Sequence, residues 1–346
     1  MAHNDDDAQT LRRMASLATP MALRVAVTLG LPGRLADHPA AAAALATELD
    51  ADPVALELLL AHLATLGIVE QTAAGYRTTA FGAHLGTGDA FTNILLRLDS
   101  AAGRAELAFV ELAHSISTGQ AAYPRRYGQD FWADLAESTE LRTSFDQQMG
   151  LRFRDQAPRI ATGFDWSRFA TLVDVGGGRG DLLAAILHAH PDIRGHLVDL
   201  APTATAAREL FAARGLAGRA HVSAQSFFDP LPAGADAYLL SDILHDWDDH
   251  HADRILARCA EAAGTTGRVL VVEPVGGQRA MSEMDLAMLV IYGGRERRIE
   301  EFQALAAAHG LVLDAVADLT EQRCLLEFRP GVPDNPAGHS LPGDYS

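Results

Sequence analysis

The sequence predicts an α/β protein in which a doubly wound parallel sheet follows a mostly helical N-terminal region. The chain has 346 residues, which suggests about two domains at roughly 150 residues each. The first half repeats apolar residues at three- and four-residue spacing, as over residues 9–30. From residue 170 onward, short β-rich apolar runs alternate with helical stretches, which is typical of βαβ units in a sheet covered on both faces.

The N-terminal region has the order of elements of a winged helix. Three helices and a small hairpin are predicted, over residues 9–30, 40–48, 53–67 and 68–82. A helix that reads a DNA groove needs positive charge, but the helix that would do so carries Asp52, Glu57 and His62 and no arginine. We therefore predict a packing or dimerisation domain, whose unusually apolar first helix favours a subunit interface.

The second half supplies the strands of the predicted sheet. A further helical region covers residues 90–160. Five strands are then predicted, over residues 171–177, 194–200, 220–225, 236–244 and 268–275. A helix over residues 300–310 ends at a glycine, and two more strands, over residues 311–319 and 323–329, close the sheet.

Charge and composition exclude several classes of function. The chain has 45 acidic and 28 basic residues, a formal charge of −17, so nucleic acid and anionic membranes repel it. Every base is arginine, which excludes a lysine Schiff base and a P-loop lysine. No apolar run is long enough for a membrane span, and we expect no signal peptide. The two cysteines, Cys259 and Cys324, form no metal motif, and we expect a cytoplasmic protein.

A glycine-rich turn after the first strand predicts a nucleoside site. Residues 176–181 read GGGRGD, and Asp181 stands where the dinucleotide fingerprint has its last glycine. A carboxylate there disfavours a pyrophosphate. Asp199, at the end of the second strand, can accept hydrogen bonds from both ribose hydroxyls, and Ser226 to Asp229 offer an aromatic wall and a polar group for adenine. Together these features fit S-adenosylmethionine.

A histidine follows the fourth strand, where ligands bind in open parallel sheets. His245 is placed to act as a general base near neutral pH. Glu273 ends the fifth strand and Glu296 lies in the segment GGRER. Two carboxylates beside one imidazole can orient it and stabilise its protonated form. The alternative is a histidine that caps the strand end or is hydrogen-bonded in the core.

These segments carry a resemblance that covers residues 10–330. VDVGGGRGDLL, SFFDPLP, LSDILHDWDD, VLVVEPV and GGRERRIEEFQALAAAHG together resemble the O-methyltransferase family that methylates plant phenolics and bacterial natural products. They are most similar to its actinobacterial branch, which acts on aromatic polyketides and naphthoic acids. The segment LATPMALRVAVTLGL resembles the dimerisation domain of that family. The resemblance implies a Rossmann-like methyltransferase domain behind a winged-helix-like dimerisation domain.

The resemblance also implies roles for individual residues. His245 would be the general base, flanked by the acids Glu273 and Glu296. The positions that match cofactor contacts, with S-adenosylmethionine bound and S-adenosylhomocysteine as product, are Gly176, Gly178, Asp199, Leu200, Ser226, Phe227, Phe228 and Ser241. Plant members have a lysine near the methionine carboxylate where this chain has Ser241, so the partner of that carboxylate is left open.

A second set of residues would line the acceptor pocket. By the same resemblance these residues are Phe145, Met149, Met288 and Tyr292, although ordinary core packing accounts for each equally well. Arg12 and Arg152 are candidate partners for an acidic group on the substrate. The acceptor would be a small aromatic molecule, and neither it nor the methylated hydroxyl is named by the sequence.

The expected organisation has five segments and a homodimer formed through the N-terminal domain, with no nucleic acid or membrane partner. The segments are a disordered start over residues 1–9, the dimerisation domain over 10–100, a helical linker and substrate-pocket region over 101–160, the cofactor-binding catalytic domain over 161–330, and a disordered tail over 331–346.

Three other functions compete with O-methylation. Some relatives bind the cofactor yet catalyse hydroxylation, decarboxylation or rearrangement, against which the complete set of His245, Glu273 and Glu296 argues. Metal-assisted C-methylation of a keto acid would make His245 a ligand, but His250 and His251 follow on a predicted helix and residues 293–298 contain no histidine. A small-molecule-sensing DNA regulator is disfavoured by the acidic recognition helix.

Overall fold

The computed structural model describes residues 2–86, 89–277 and 282–331. The chain forms two compact units, which we call the helical unit (Met1–His114 with Ala122–Arg152) and the sheet unit (Ser115–Ala121 with Phe153–Ser346). The predicted tail lies outside the described residues apart from Gly331. The boundaries expected at residues 100 and 160 stay predictions. No helix within the described ranges is long and apolar enough to cross a membrane.

The first part of the chain is helical with one small hairpin, as expected. Its helices are α1 (Ala2–Ala15), α2 (Ala18–Thr28), α3 (Leu31–Arg34), α4 (Ala42–Leu49), α5 (Pro53–Thr65), α6 (Ala90–Leu96), α7 (Ala101–Glu106), α8 (Leu112–Thr118), α9 (Tyr123–Tyr127), α10 (Phe131–Glu137) and α11 (Thr139–Thr162). Strands β1 (Val69–Thr72) and β2 (Gly75–Thr78) pair antiparallel. Helix α5 begins where the Asp52 side chain accepts a hydrogen bond from the Ala55 amide.

Two expectations about the N-terminus are wrong. Residues 9–30 do not form one helix, because α1 ends at Ala15 and α2 begins at Ala18, with Ser16 and Leu17 between them. Residues 2–9, expected to be disordered, belong to α1. Arg12 and Arg13 lie in the last turn of α1, where positive charge stabilises the partial negative charge of a helix C-terminus.

The sheet unit contains the predicted doubly wound sheet. Its remaining elements are β3 (Thr171–Val175), α12 (Asp181–Ala189), β4 (Arg194–Asp199), α13 (Ala201–Ala213), β5 (Ala220–Ala224), β6 (Ala237–Ser241), α14 (Asp249–Ala263), β7 (Arg268–Glu273), α15 (Ser282–Tyr292), α16 (Ile299–Ala307), β8 (Leu311–Asp318) and β9 (Cys324–Pro330). The strand order is β5-β4-β3-β6-β7-β9-β8. Strands β3 to β7 are parallel, and β9 runs antiparallel to both β7 and β8.

Both faces of the sheet are covered, which explains why its central strands are apolar throughout. On one face Leu172 and Leu239 pack with Leu183 of α12. On the other face Val173 and Leu240 pack with residues of α14 and α16. The strand order reverses between β3 and β6, so the carboxyl ends of these two strands form the crevice in which such sheets bind ligands.

Candidate active site

The turn after β3 has the backbone geometry that the glycine motif predicts. Gly176, Gly178 and Gly180 have φ values of 72°, 58° and 82°, which L side chains rarely adopt. A Cβ on Gly176 would lie 2.6 Å from Cδ1 of Ile243. A Cβ on Gly178 would meet nothing within 4 Å, so at this point the backbone borders open space and a ligand can approach it.

Asp199 joins this turn to the end of the neighbouring strand. One carboxylate oxygen accepts a hydrogen bond from the Gly178 amide at 2.9 Å, and the other accepts one from the Leu200 amide at 2.7 Å. The half-buried acid therefore lies at the rim of the glycine turn, while Leu200 is 46% exposed. This arrangement suits a group that accepts hydrogen bonds from a ribose beside the turn.

A second acid lies beneath the same turn, and sequence reasoning missed it. Asp174 is buried in β3, and its Oδ2 has no hydrogen-bond partner among the described residues. Burial, and next the charge of Asp199, raise its pKa to about 7. A Cβ on Gly177 would collide with this carboxyl group. Asp174 therefore requires a glycine at position 177. The sequence signal that could have drawn attention to Asp174 is that it is the single charged residue in the apolar run around residues 172–175.

The two phenylalanines after β5 have different surroundings. A Cβ on Gly176 would lie 3.4 Å from the Phe227 ring, so Phe227 flanks the glycine turn. Both rings pack edge-to-face on Trp247, with centroids 5.9 Å away for Phe227 and 5.1 Å away for Phe228, and Phe228 also lies under the guanidinium of Arg254. Ser226 accepts a hydrogen bond from the Phe228 amide. Phe227 thus fits the predicted adenine wall better than Phe228, whose partners lie on and next to α14.

His245 lies on a short 3₁₀ turn, Leu244–Asp246, directly after β6. Its side chain is 3% exposed, and its Nδ1 is 3.0 Å from Oε1 of Glu296. Its Nε2 is 3.5 Å from Oδ1 of Asp246. Burial alone would lower the pKa of the imidazole, but the charges of Asp246 and Glu296, the hydrogen bond to Glu296 and the charge of Glu273 raise it to about 10. The ring is therefore protonated at neutral pH, and Nδ1–H donates to Glu296.

The two predicted flanking acids act on different parts of this turn. Glu296 contacts the ring itself, whereas Glu273 holds the backbone: its Oε1 accepts from the amides of Ile243 at 3.0 Å and Leu244 at 2.5 Å. Burial raises the pKa of Glu273 to about 7, and its Oε2 has no hydrogen-bond partner among the described residues. Glu296 thus contacts the ring, whereas Glu273 holds the backbone and acts on the ring through its charge, and the catalytic roles of both acids stay predictions.

Two arginines that the sequence analysis did not single out surround the same strand end. Arg297 is fully buried and donates to the carbonyls of Leu244 and Trp247. Arg323 is also fully buried, and it donates to both carboxylate oxygens of Asp242 and to Gln156. Asp242 follows β6 with φ 52°, a strained conformation for a residue with a side chain. The sequence does not show these hydrogen bonds, because each arginine lies at least 50 residues along the chain from these partners.

Comparison with known proteins identifies the family of the chain. The chain matches the O-methyltransferase dimerisation domain over residues 11–87 and the O-methyltransferase domain over residues 109–312. The chain belongs to the O-methyltransferase family. The fold class, the family resemblance and the use of S-adenosylmethionine as cofactor are thereby confirmed.

Two relatives and one solved structure are similar to this O-methyltransferase. The 2,7-dihydroxy-5-methyl-1-naphthoate 7-O-methyltransferase of Streptomyces carzinostaticus is 49% identical, covering 88% of this chain and 93% of the relative. Aclacinomycin 10-hydroxylase of Streptomyces purpurascens is 41% identical, covering 88% and 84%. An O-methyltransferase of neocarzinostatin biosynthesis, solved with S-adenosylmethionine and 2-hydroxy-5-methyl naphthoic acid, has a TM-score of 0.88, 46% identity, and coverage of 92% and 98%.

In this methyltransferase, the predicted cofactor residue Ser241 bears on the question of which group holds the methionine carboxylate. Ser241 ends β6, and its Oγ is buried without a hydrogen-bond partner among the described residues. An unpaired hydroxyl at this strand end fits a polar group of the cofactor. It does not supply the positive charge that a methionine carboxylate would favour. The assignments of all eight cofactor residues stay predictions.

The predicted acceptor residues are divided between the two units. Met288 and Tyr292 lie on α15 in the sheet unit, and α15 contacts the His245 turn. The Met288 carbonyl accepts a hydrogen bond from the Gly294 amide. Phe145 belongs to the helical unit, where its ring packs edge-to-face on Phe131 and Trp132. Met149, Arg152 and Arg12 belong to the helical unit as well, and the acceptor roles of all six residues stay predictions.

The histidines that a metal-assisted reaction would need have other partners. His251 lies on α14, 37% exposed, and contacts Asp248 through Nδ1 at 2.7 Å. Its ring also packs on those of Trp247 and His250. Within the described ranges, no group of three histidines, cysteines or acids is arranged to hold a metal ion.

Proposed function

We propose that this enzyme transfers the methyl group of S-adenosylmethionine to a phenolic hydroxyl of an aromatic secondary metabolite, with His245 as the general base. The observation that carries the proposal is the geometry of His245: a buried imidazole after β6 whose Nδ1 is bound by Glu296. With Nδ1 held by Glu296, Nε2 is the ring nitrogen that would face the acceptor, and it lies 3.5 Å from Oδ1 of Asp246. The name of the 49% identical relative supports a hydroxynaphthoate as the acceptor class.

The chemistry divides between the cofactor and the protein. The bound cofactor supplies an electrophilic methyl group on a sulfonium. A phenol has a pKa of about 10, so little phenolate exists at neutral pH. His245 Nε2 accepts the phenolic proton while the oxygen–methyl bond forms and the sulfur–methyl bond breaks. Proton removal of this kind contributes about 10²–10⁴ in rate.

Two features of the site govern how well His245 serves as a base. Its high pKa makes it a strong base, but the ring must first lose the proton that it carries at neutral pH. The buried position also excludes water from the ring. Positioning of the reacting groups within about 3–3.5 Å can supply up to ~7–11 kcal/mol more. For the acidic group of a naphthoate, Arg12 and Arg152 are our candidate partners.

His245→Ala tests the proposal directly. We expect methyl transfer from labelled S-adenosylmethionine to 2,7-dihydroxy-5-methyl-1-naphthoate to fall about 10²–10⁴-fold. Binding of S-adenosylhomocysteine, measured by calorimetry, should stay within about twofold. His251→Ala is the matched control, because this histidine lies outside the buried site on α14. Equal turnover of His245→Ala and the wild type would refute the base assignment.

Hydroxylation is the second candidate function, because the chain is 41% identical to aclacinomycin 10-hydroxylase. Mass spectrometry of the product separates the two functions, since methylation adds a methyl group and hydroxylation adds an oxygen atom. Consumption of the cofactor to S-adenosylhomocysteine in step with product is expected only for methyl transfer.

We further propose that the enzyme is a cytoplasmic homodimer that binds neither nucleic acid nor membrane. The match of residues 11–87 to a dimerisation domain supports this, as do the exposed side chains of Leu11, Met14 and Leu17 on and after α1. Light scattering should give twice the chain mass of 36.9 kDa, and a mass of one chain would contradict the dimer.

A further inference from the structure

We propose that Arg297 is a positioning residue for the reaction: it clamps the backbone of the turn that carries His245 and so fixes the direction of the imidazole. The inference rests on the proposed function, because it takes His245 to be the base. It goes beyond that function by assigning a role to a residue that does not touch the imidazole.

The contacts of Arg297 converge on the carbonyl groups of the turn. Nη1 donates to the Leu244 carbonyl at 2.5 Å, and Nη2 donates to the Trp247 carbonyl at 2.7 Å. These carbonyls belong to the residue before His245 and to the second residue after it, so they bracket the base. Nε and Nη2 also donate to Oδ1 of Asp249, which neutralises the guanidinium and anchors it to the start of α14.

The complete burial of Arg297 points to a role beyond stability. The side chain is 0% exposed, and desolvation of a guanidinium costs several kcal/mol even when it is paired. Apolar residues of similar volume often stabilise a core as well or better. What they cannot do is hold two carbonyl groups at fixed points. A planar fork of donors does this with little loss of freedom.

Arg297 is one of three clamps on the same few residues. Glu273 holds the amides of Ile243 and Leu244 at the start of the turn, and Glu296 holds the ring of His245. Arg297 holds the carbonyls of Leu244 and Trp247, on either side of the base. Because Glu296 and Arg297 are neighbours in sequence, their shared backbone couples the position of the ring to that of the turn.

The GGRER segment, residues 293–297, lies so close to the His245 turn that position 294 requires a glycine. A Cβ on Gly294 would collide with the carbonyl oxygen of His245. The Arg297 carbonyl in turn accepts a hydrogen bond from the Gly276 amide at 2.9 Å, which anchors the segment to the loop after β7. The GGRER segment therefore acts as a rigid support: glycine allows the approach, Glu296 orients the ring and Arg297 holds the backbone.

Arg295 offers a matched control two residues away. It also pairs with Asp249, at 3.1 Å, but its side chain is 41% exposed and its other partner is Glu301. Within the described part of the chain, its hydrogen bonds go to Asp249 and Glu301 and not to the carbonyls of the turn. Arg295→Ala therefore removes a comparable charge from the same carboxylate while leaving the proposed clamp in place.

The experiment compares Arg297→Ala, Arg297→Lys and Arg295→Ala as full-length dialysed proteins. We expect kcat of Arg297→Ala to fall about 10²-fold, since a displacement near 1 Å can cost that much, with KM for the cofactor within about twofold. Guanidinium ion should restore part of kcat by filling the vacated space. Arg297→Lys, which keeps the charge without the fork, should lie in between. Arg295→Ala should turn over within about threefold of the wild type.

A second readout does not depend on turnover or on the acceptor. The ring signals of His245, identified by their loss in His245→Ala, should be single in the wild type and in Arg295→Ala by NMR. They should be broadened or split in Arg297→Ala and Arg297→Lys. This separates the two hypotheses: full activity of His245→Ala would defeat the proposed function, whereas the NMR comparison still tests the clamp.

Two results would overturn the inference. One is a single, unshifted His245 signal in a folded Arg297 variant that retains wild-type kcat. The other is a loss of kcat accompanied by an equal loss of cofactor affinity, with no rescue by guanidinium, which would make Arg297 a purely structural residue. Should Arg297→Ala fail to fold, Arg297→Lys decides between these outcomes.

Discussion

Glu296→Gln should shift the pH dependence of methyl transfer to lower pH. The carboxylate contacts Nδ1 of His245 at 3.0 Å, and both side chains are almost completely buried. It is one of the groups that raise the pKa of the imidazole to about 10 against the opposing effect of burial. An amide keeps the shape of the side chain but removes its charge. The protonated ring then loses stabilisation, while the neutral ring loses little.

The contact with Glu296 sets the size of the shift. A hydrogen bond to a charged group contributes about 1.5–3 kcal/mol, and one pKa unit corresponds to about 1.36 kcal/mol. The pKa of His245 should therefore fall by roughly 1–2 units. In the wild type, kcat/KM should rise about tenfold per pH unit from pH 7 and level off near the pKa of about 10. In the variant the plateau should begin roughly 1–2 pH units earlier, at a lower maximum, because the ring is a weaker base and is less firmly oriented.

The assay measures kcat/KM between pH 6.5 and pH 10 with one acceptor for all variants. Ionisation of the phenol contributes the same pH dependence to each variant, so the displacement between profiles carries the information. Glu300→Gln removes an exposed carboxylate on α16, four residues away, and should leave the profile unchanged. Coincident profiles for Glu296→Gln and the wild type would refute the assignment of Glu296 as the partner that holds the proton on His245.

Two further predictions concern the cofactor turn and the buried ion pair. Gly176→Ala should weaken S-adenosylhomocysteine binding about tenfold or more in calorimetry, because its φ of 72° is strained for alanine; Gly218→Ala, at an open position, should bind normally. Arg323→Met should lower the free energy of unfolding in urea by about 3–5 kcal/mol, because the buried carboxylate of Asp242 loses the charge of Arg323. Arg329→Met, which removes the half-exposed pair with Asp314, should lower the free energy of unfolding by less than about 1 kcal/mol in the same test. Equal losses for the two variants would contradict the role of burial.

The parts of the site that the sequence could predict are those written in short, local segments. The glycine turn, Asp199 and His245 each follow a β-rich run, and carboxyl ends of parallel strands must meet at one edge of the sheet. Local pattern therefore sufficed to bring these residues together. The contact between Glu296 and the ring came from the family resemblance, since nothing within residues 293–298 indicates which strand end that segment approaches.

What the sequence could not predict depends on packing between distant segments. Composition does not distinguish among the 28 arginines. The general expectation that arginine side chains are exposed holds for most of them. It fails for Arg297 and Arg323 because the surrounding backbone and carboxylates satisfy their charge and hydrogen bonds inside the fold. The same reasoning explains Glu273, which an argument from charge places beside the imidazole and the structure places on two backbone amides.

The position of His245, our proposed base, is therefore set mainly by the segments around its turn. A histidine after a strand is common and by itself says little about catalysis. Here the first two amides of the turn are held by Glu273, its flanking carbonyls by Arg297, and the ring by Glu296. Catalytic groups must be held to within about 0.5 Å of productive geometry, and three separate anchors on four residues meet that demand. A turn that only connected β6 to α14 would not need three buried charged side chains, and for this reason we propose the cluster, rather than the histidine alone, as the place where the reaction occurs.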